Sequence, residues 1–193
     1  GLGYLTLFLI IVSASVWVLR EYGPNKGFWN FLFISEFDVA GGYSRLTKGL
    51  PEVRHGEIWR IVTPIFLHFH VLHILFNMLW LKDLGSMVEA RQSPYFLALL
   101  VLVISGASNV AQYLVSGPSF CGMSGVVYGL FGYIWIRGKF DPASGYYVDP
   151  STVTWMLIWF FVCFAGFMPI ANTVHAVGLG IGVLWGYLSA LSK

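Results

Sequence analysis

The sequence predicts an all-α membrane protein whose 193 residues form a single domain with six transmembrane helices. Composition is the first reason: 57% of the residues are hydrophobic and 10% are charged, whereas soluble domains carry roughly 25% charged residues. The second reason is the length of the uncharged runs. No charged residue occurs from Gln92 to Ile136, which leaves room for two helices of the roughly 20 residues that a bilayer requires.

The uncharged runs and the breaks between them locate the helices. Charged residues follow the second and fourth runs, and the stretch GFMPIAN divides the last run into two. Segment 20–57 mixes aromatic and charged residues, which is typical of a loop lying in the membrane interface. The predicted helices are 2–19, 58–81, 94–115, 124–137, 151–167 and 171–191.

The distribution of basic residues predicts the orientation. Lys82, Arg91, Arg137 and Lys139 follow the second and fourth helices, whereas the connections after the third and fifth helices carry neither Lys nor Arg. Cytoplasmic loops are enriched in these residues, so we expect both termini in the cytoplasm. The connection SGPSFCGMSG then lies on the outer side. A net charge of +2 and the lack of a Lys/Arg cluster give no reason to expect nucleic acid as a partner.

The fourth helix is predicted to begin inside the membrane. From Ser124 to Arg137 there are roughly 14 residues, or about 21 Å of helix, which is shorter than the bilayer core of about 30 Å. Irregular backbone is tolerated at that depth only where protein buries it or where it lines a water-filled cavity. We therefore expect an outward-facing polar cavity with Ser124 at its floor.

Polar side chains within the helices are the functional candidates, because each is costly in hydrocarbon. Ser124 lies between Gly122 and Gly125, which allow the sharp turn that exposes a nucleophile at a helix N-terminus. His175 shares a helical stripe with three glycines, and the fourth helix carries a matching small-residue stripe. The sequence therefore predicts a Ser124–His175 pair at the contact of the stripes Gly178, Gly182, Gly186 and Gly125, Gly129, Gly132.

Other polar residues leave alternatives open. His70, His73 and Asn77 share a face of the second helix, where hydrogen bonds between helices are one interpretation. A zinc site of His68, His70 and His73 is another, although no carboxylate lies nearby in the sequence. Cys121 could be a nucleophile, but no feature marks it as activated.

The interrupted fourth helix also suggests a small transporter. The sequence lacks an inverted repeat and a buried acidic residue, and both absences argue against this alternative. The remaining polar candidates in the helices are Asn109, Gln112 and Asn172.

Several motifs together resemble a known family. GMSG with Ser124 and HILFN with His73 and Asn77 occur in order with EIWRIVTPIFLH, SGPSFCGMSGVVYGLFGYIWIRG and ANTVHAVGLGIG. From about Glu57 to the C-terminus this pattern resembles the rhomboid intramembrane serine proteases, most closely the bacterial GlpG type. The resemblance implies a rhomboid-like bundle with a catalytic dyad of Ser124 and His175. It also implies an oxyanion site of His73, Asn77 and the Ser124 N–H, supporting roles for Gly122 and Gly125, and a Tyr128 that packs on His175.

The resemblance further implies cleavage of transmembrane or juxtamembrane segments of membrane-protein substrates in a bacterial inner membrane. No metal, nucleotide or other cofactor is implied. The rival hypothesis is a catalytically silent relative that binds and escorts membrane proteins, although such a protein has no need to keep both Ser124 and His175. Three departures from the family pattern are expected: Pro64 replaces a histidine, the connection between the fifth and sixth helices is about two residues shorter, and these 193 residues include no cytosolic N-terminal domain. Because residue 1 is Gly rather than Met, we expect an N-terminal piece to be missing.

Overall fold

The computed structural model describes residues 1–36, 49–165 and 171–192. Within these ranges the chain forms helices and turns without any strand. Short helical segments join the long helices: 3-10 turns at Lys26–Leu32, Ile58–Ile61, Thr63–Phe66 and Pro142–Ser144, and one α-helical turn at Pro51–Arg54. The long helices are α1 (Tyr4–Tyr22), α2 (Val71–Arg91), α3 (Pro94–Ser116), α4 (Ser124–Phe140), α5 (Pro150–Phe164) and α6 (Asn172–Leu191).

Four of these helices, α1, α2, α3 and α6, are long and apolar enough to cross a membrane. The 15-residue α5 is a shorter apolar helix. Their outward faces are rich in large hydrophobic side chains, such as Phe8, Phe76, Leu102 and Trp159. An apolar exterior of this extent is what a lipid environment requires of a helical bundle.

Helix α4 forms the centre of the bundle, since most of its side chains are buried. It packs most closely against α6, because glycines replace side chains along the contact. A Cβ at position 182 would run into the Gly129 carbonyl oxygen, and one at position 186 would lie 2.6 Å from the Tyr133 carbonyl oxygen. The predicted close approach of these two helices is therefore confirmed. Gly129 differs from the prediction in one respect: its own missing Cβ faces Ile104 of α3 rather than α6.

The prediction for the second helix was wrong. It was expected over 58–81, but α2 begins only at Val71, and 3-10 turns occupy most of the preceding stretch. Pro64 explains this start, since proline lacks the N–H that an α-helix interior requires and its ring clashes with the preceding turn. His70 then adopts extended backbone with φ −133° and ψ 151° and occupies the N-cap position of the new helix, where its carbonyl oxygen accepts the Ile74 N–H.

The end of the second helix also differs, because the residues predicted as a charged turn continue α2 as far as Arg91. The hydrogen bonds of Glu89 explain how a charged residue can lie within this part of α2. Its carboxylate accepts hydrogen bonds from the Leu5 and Thr6 N–H groups, at 2.9 Å each, at the beginning of α1. These N–H groups have no partner within α1, so Glu89 stabilises the end of one helix from the end of another.

The other boundaries shift by a few residues. The first helix ends at Tyr22 instead of 19, and α4 continues to Phe140 instead of ending at 137. An ion pair between Arg137 and Asp141, with N···O at 3.0 Å, spans the last turn of α4 and supports this extension. The fifth helix was predicted over 151–167 and ends at Phe164; positions 166–170 and part of the predicted interfacial loop, 37–48, lie outside the described residues.

Candidate active site

The centre of the candidate site is a hydrogen bond between two helices. Ser124 is the first residue of α4, and His175 lies in the first turn of α6. Their Oγ and Nε2 atoms are 2.8 Å apart, a normal hydrogen-bond distance. Gly125 makes the approach possible, because a Cβ at that position would run into the side chain of Val174. The structure therefore brings together the pair that the sequence predicted.

His175 is 5% exposed and is held mainly by ring packing. The Tyr128 ring lies against it, with centroids 4.9 Å apart and planes inclined by 42°. Tyr128 also contacts Phe160 of α5 and donates a hydrogen bond of 3.4 Å to the Met156 carbonyl oxygen. Among the described residues the His175 Nδ1 has no hydrogen-bond partner. If Nε2 accepts the Ser124 hydroxyl hydrogen, the ring proton is on Nδ1.

The loop before Ser124 is fixed from the turns that precede α2. Gly122 has φ of +118°, a backbone conformation that favours glycine. Its N–H donates to the Pro64 carbonyl oxygen at 3.0 Å, and the Met123 N–H points at the His68 Nε2 at 3.4 Å. The Ser124 N–H has no acceptor among the described residues, as is usual for the first residue of a helix.

His73 and Asn77 lie on the other side of this loop. The His73 imidazole packs against Gly122 so closely that a Cβ there would be 2.6 Å from its Cε1 and Nε2 atoms. Asn77 is 5% exposed and donates one amide hydrogen to the His73 carbonyl oxygen at 2.8 Å. Its second amide hydrogen is left for another acceptor. The two residues predicted for the oxyanion site are thus adjacent, and His73 touches the loop that presents Ser124.

The alternatives that the sequence left open involve His68, His70 and Cys121. The His68 and His73 rings contact each other with centroids 4.9 Å apart, while His70 is exposed. Within the described ranges no group of three or more His, Cys, Asp or Glu side chains could hold a metal ion. Cys121 is half-buried against the apolar cluster of Leu32, Phe33 and Leu67.

Two supports of the site were missed from the sequence. The Pro64 carbonyl oxygen anchors the Gly122 N–H, and a backbone contact of this kind has no sequence signal. His68 was considered only as a polar residue and a possible zinc ligand, whereas the structure buries it fully and brings its Nε2 atom to 3.4 Å from the Met123 nitrogen, beneath the loop. No sequence pattern linked His68 to the loop before Ser124, because His68 and Met123 are 55 residues apart in the chain.

Comparison with known proteins identifies the family. The family model described as the Rhomboid domain matches residues 55–192, which include every site residue described above. The chain belongs to the rhomboid family. With four helices that can cross a bilayer, this rhomboid chain is a multi-pass integral membrane protein.

Its rhomboid relatives include three enterobacterial proteins named Rhomboid protease GlpG. The chain is 40% identical to the Enterobacter sp. protein over 146 residues, which cover 74% of this chain and 52% of that protein. It is 39% identical to the Salmonella paratyphi A protein and 40% identical to the Salmonella choleraesuis protein, each over 138 residues that cover 70% of this chain and 50% of the relative. The chain therefore spans about half the length of the curated relatives it matches.

Proposed function

We propose that the protein is an intramembrane serine endopeptidase that cleaves transmembrane or juxtamembrane segments of other membrane proteins. The observation that carries the proposal is the 2.8 Å contact between Ser124 Oγ and His175 Nε2, in a chain whose relatives are named proteases. A hydroxyl beside an imidazole at this distance is the minimal arrangement for nucleophilic catalysis. The reaction we propose uses no metal, nucleotide or other cofactor, and its partners are membrane-protein substrates and the lipid bilayer rather than nucleic acid.

In the proposed reaction Ser124 Oγ attacks the carbonyl carbon of the scissile peptide bond while His175 Nε2 takes the hydroxyl proton. Collapse of the tetrahedral intermediate breaks the C–N bond, and His175 gives its proton to the departing amine. The acyl chain remains bound to Ser124 as an ester. Water then attacks this ester with His175 again as the base, which releases the carboxylic acid and restores the serine.

The negative oxygen of the tetrahedral intermediate requires donors that are already in place. The Ser124 N–H supplies one, helped by the positive end of the α4 dipole. His73 and the second amide hydrogen of Asn77 supply the others. Tyr128 holds the His175 ring, and Gly122 and Gly125 allow the close approach of His73 and of α6.

For the membrane placement we propose six crossing helices with both termini in the cytoplasm of a bacterial inner membrane. The basic residues Arg137 and Lys139 in the last turn of α4 support a cytoplasmic position for this end of the helix. The uncharged part from Ser124 to Ile136 is then about 20 Å long and leaves Ser124 about 10 Å below the outer surface of a core of about 30 Å. The site opens to the outer face, from which the deacylating water enters.

Proteolysis by purified protein tests the proposal. We expect the wild type to cleave a reporter protein with one transmembrane segment, and Ser124→Ala to be folded but inactive. Removal of a serine nucleophile costs orders of magnitude in kcat. Normal turnover by purified, folded Ser124→Ala protein would end the protease proposal.

A further inference from the structure

Helix α3 contributes two buried amide side chains that the proposed mechanism leaves without a role. Asn109 is 2% exposed and Gln112 is 5% exposed. Their spacing of three residues places them on one face of α3. Burying an amide among apolar side chains is costly unless it is hydrogen-bonded, so the partners of these two side chains indicate what they do.

Asn109 binds the turns that support the loop before Ser124. Its Nδ2 donates to the Ile61 carbonyl oxygen at 2.9 Å, at the end of the 3-10 turn Ile58–Ile61. Three residues later, the Pro64 carbonyl oxygen accepts the Gly122 N–H. The position of the loop that presents Ser124 is therefore set by a segment that Asn109 fastens to α3.

Gln112 binds the helix that carries His175. Its Oε1 accepts the Val174 N–H at 3.1 Å, in the first turn of α6 and directly before His175. This N–H also lies 3.1 Å from the Ala171 carbonyl oxygen, so the side chain adds a second acceptor at a helix end. One helix thus holds both halves of the site: the nucleophile loop through Asn109 and the base through Gln112.

We infer that Asn109 and Gln112 are positioning residues that set the Ser124–His175 geometry; this rests on the proposed function. Ser124 and His175 belong to different helices, so their 2.8 Å contact depends on how α4 and α6 are placed. A third element bonded to both supports restricts their relative movement. Because a misplacement of about 1 Å can cost a reaction 10²-fold, loss of either bond acts on kcat.

Substitutions that differ in one hydrogen-bonding atom test this inference. Gln112→Met keeps the side-chain length but removes the acceptor, whereas Gln112→Glu keeps an acceptor oxygen in either protonation state. Asn109→Leu removes the donor independently, so the test survives if Gln112→Met does not fold. Ser105→Ala is the matched control, because it removes a buried hydrogen bond of 2.6 Å to Val101 that stays within α3.

We expect Gln112→Met and Asn109→Leu to lower kcat by about 10- to 10²-fold with KM unchanged. The reaction rate of Ser124 with a fluorophosphonate should fall in parallel, and Gln112→Glu should retain most of the activity. If the two amides only hold the bundle together, Tm falls as in Ser105→Ala while kcat stays at the wild-type value, and the inference is overturned. Equal losses in Gln112→Glu and Gln112→Met at unchanged Tm overturn it too.

Ser124→Ala in the same assay separates this inference from the proposed function. Cleavage that persists in Ser124→Ala removes the proposed function itself. Cleavage that depends on Ser124 but is undiminished in Gln112→Met and Asn109→Leu removes only the positioning roles.

Discussion

The imidazole of His73 occupies the space that a side chain on residue 122 would need. A Cβ at Gly122 would lie 2.6 Å from two atoms of that ring, and Gly122 has φ of +118°. The same glycine thus meets a steric and a backbone requirement. The Gly122 N–H is also bonded to the Pro64 carbonyl oxygen. A substitution at Gly122 that breaks this contact would shift the loop that presents Ser124.

Gly122→Ala is therefore expected to displace His73 or the loop and to lower kcat by about 10²-fold or more, as the loss of an oxyanion donor does. Gly180→Ala is the matched control, since a Cβ at that position on α6 meets no atom within 4 Å. Steady-state cleavage of a reporter substrate by the two purified variants provides the measurement. Activity of Gly122→Ala equal to that of the control would mean that His73 need not lie against the loop.

Asn77→Ala is expected to be milder than His175→Ala. Asn77 is one of several proposed oxyanion donors, and losing one donor costs about 10²–10³-fold, or less where others compensate. His175 is the base that lies within hydrogen-bond distance of Ser124, so its removal should abolish measurable turnover. Single-turnover cleavage by both variants measures the difference, with His70→Ala, an exposed imidazole near the start of α2, as control. Complete inactivation by both Asn77→Ala and His175→Ala would contradict this division of roles.

Tyr128→Phe and Tyr128→Ala should separate ring packing from hydrogen bonding. The phenylalanine keeps the ring against His175 and loses only a long hydrogen bond of 3.4 Å to the Met156 carbonyl oxygen. We expect it to retain most of kcat, whereas the alanine removes the aromatic contact, worth about 0.5–1.5 kcal/mol, and frees the His175 ring. Measured kcat values decide the matter: a loss as large in Tyr128→Phe as in Tyr128→Ala would assign the role to the hydroxyl.

The depth of Ser124 can be measured with cysteine substitutions in a background that lacks Cys121 and Cys163. Ser119 is exposed in the preceding loop, and Ser124→Cys reports from the proposed cavity. We expect Ser119→Cys to react from the outer side with small and bulky hydrophilic thiol reagents. Ser124→Cys should react only with small ones, because we propose that Ser124 lies about 10 Å below the outer surface of the bilayer core.

Lys139→Cys, exposed at the end of α4, supplies the control for orientation and should react only from the cytoplasmic side. Equal labelling of Ser124→Cys by large and small reagents would place the loop at the surface. Labelling of Ser124→Cys from the cytoplasmic side would invert the topology.

The sequence predicted the structure correctly where a residue type has one main structural role, as glycine has in close helix packing. Glycines spaced along two helices predicted the contact of α4 with α6, and the length of the uncharged run predicted the start of α4 near Ser124. The Ser124–His175 pair followed from those two features, because a close helix contact at one depth leaves few alternative partners for the serine.

Other features depend on tertiary contacts and carry no local signal. The charged residues at the end of α2 were expected to form a turn, yet Glu89 continues the helix because it accepts the N–H groups at the start of α1. Hydropathy merged residues 58–70 with α2, although Pro64 was the available signal against a continuous helix. The partners of Asn109 and Gln112 are backbone atoms of distant segments, which a sequence pattern cannot supply.

Reaction of the purified protein with a fluorophosphonate tests the central claim most directly. The reagent phosphonylates a serine only when a base activates its hydroxyl, and mass spectrometry of the digested protein locates the adduct. We predict a single adduct on Ser124, the same adduct in Cys121→Ala, and none in Ser124→Ala or His175→Ala. An adduct on another residue, or undiminished labelling of Ser124 in His175→Ala, would contradict the Ser124–His175 dyad.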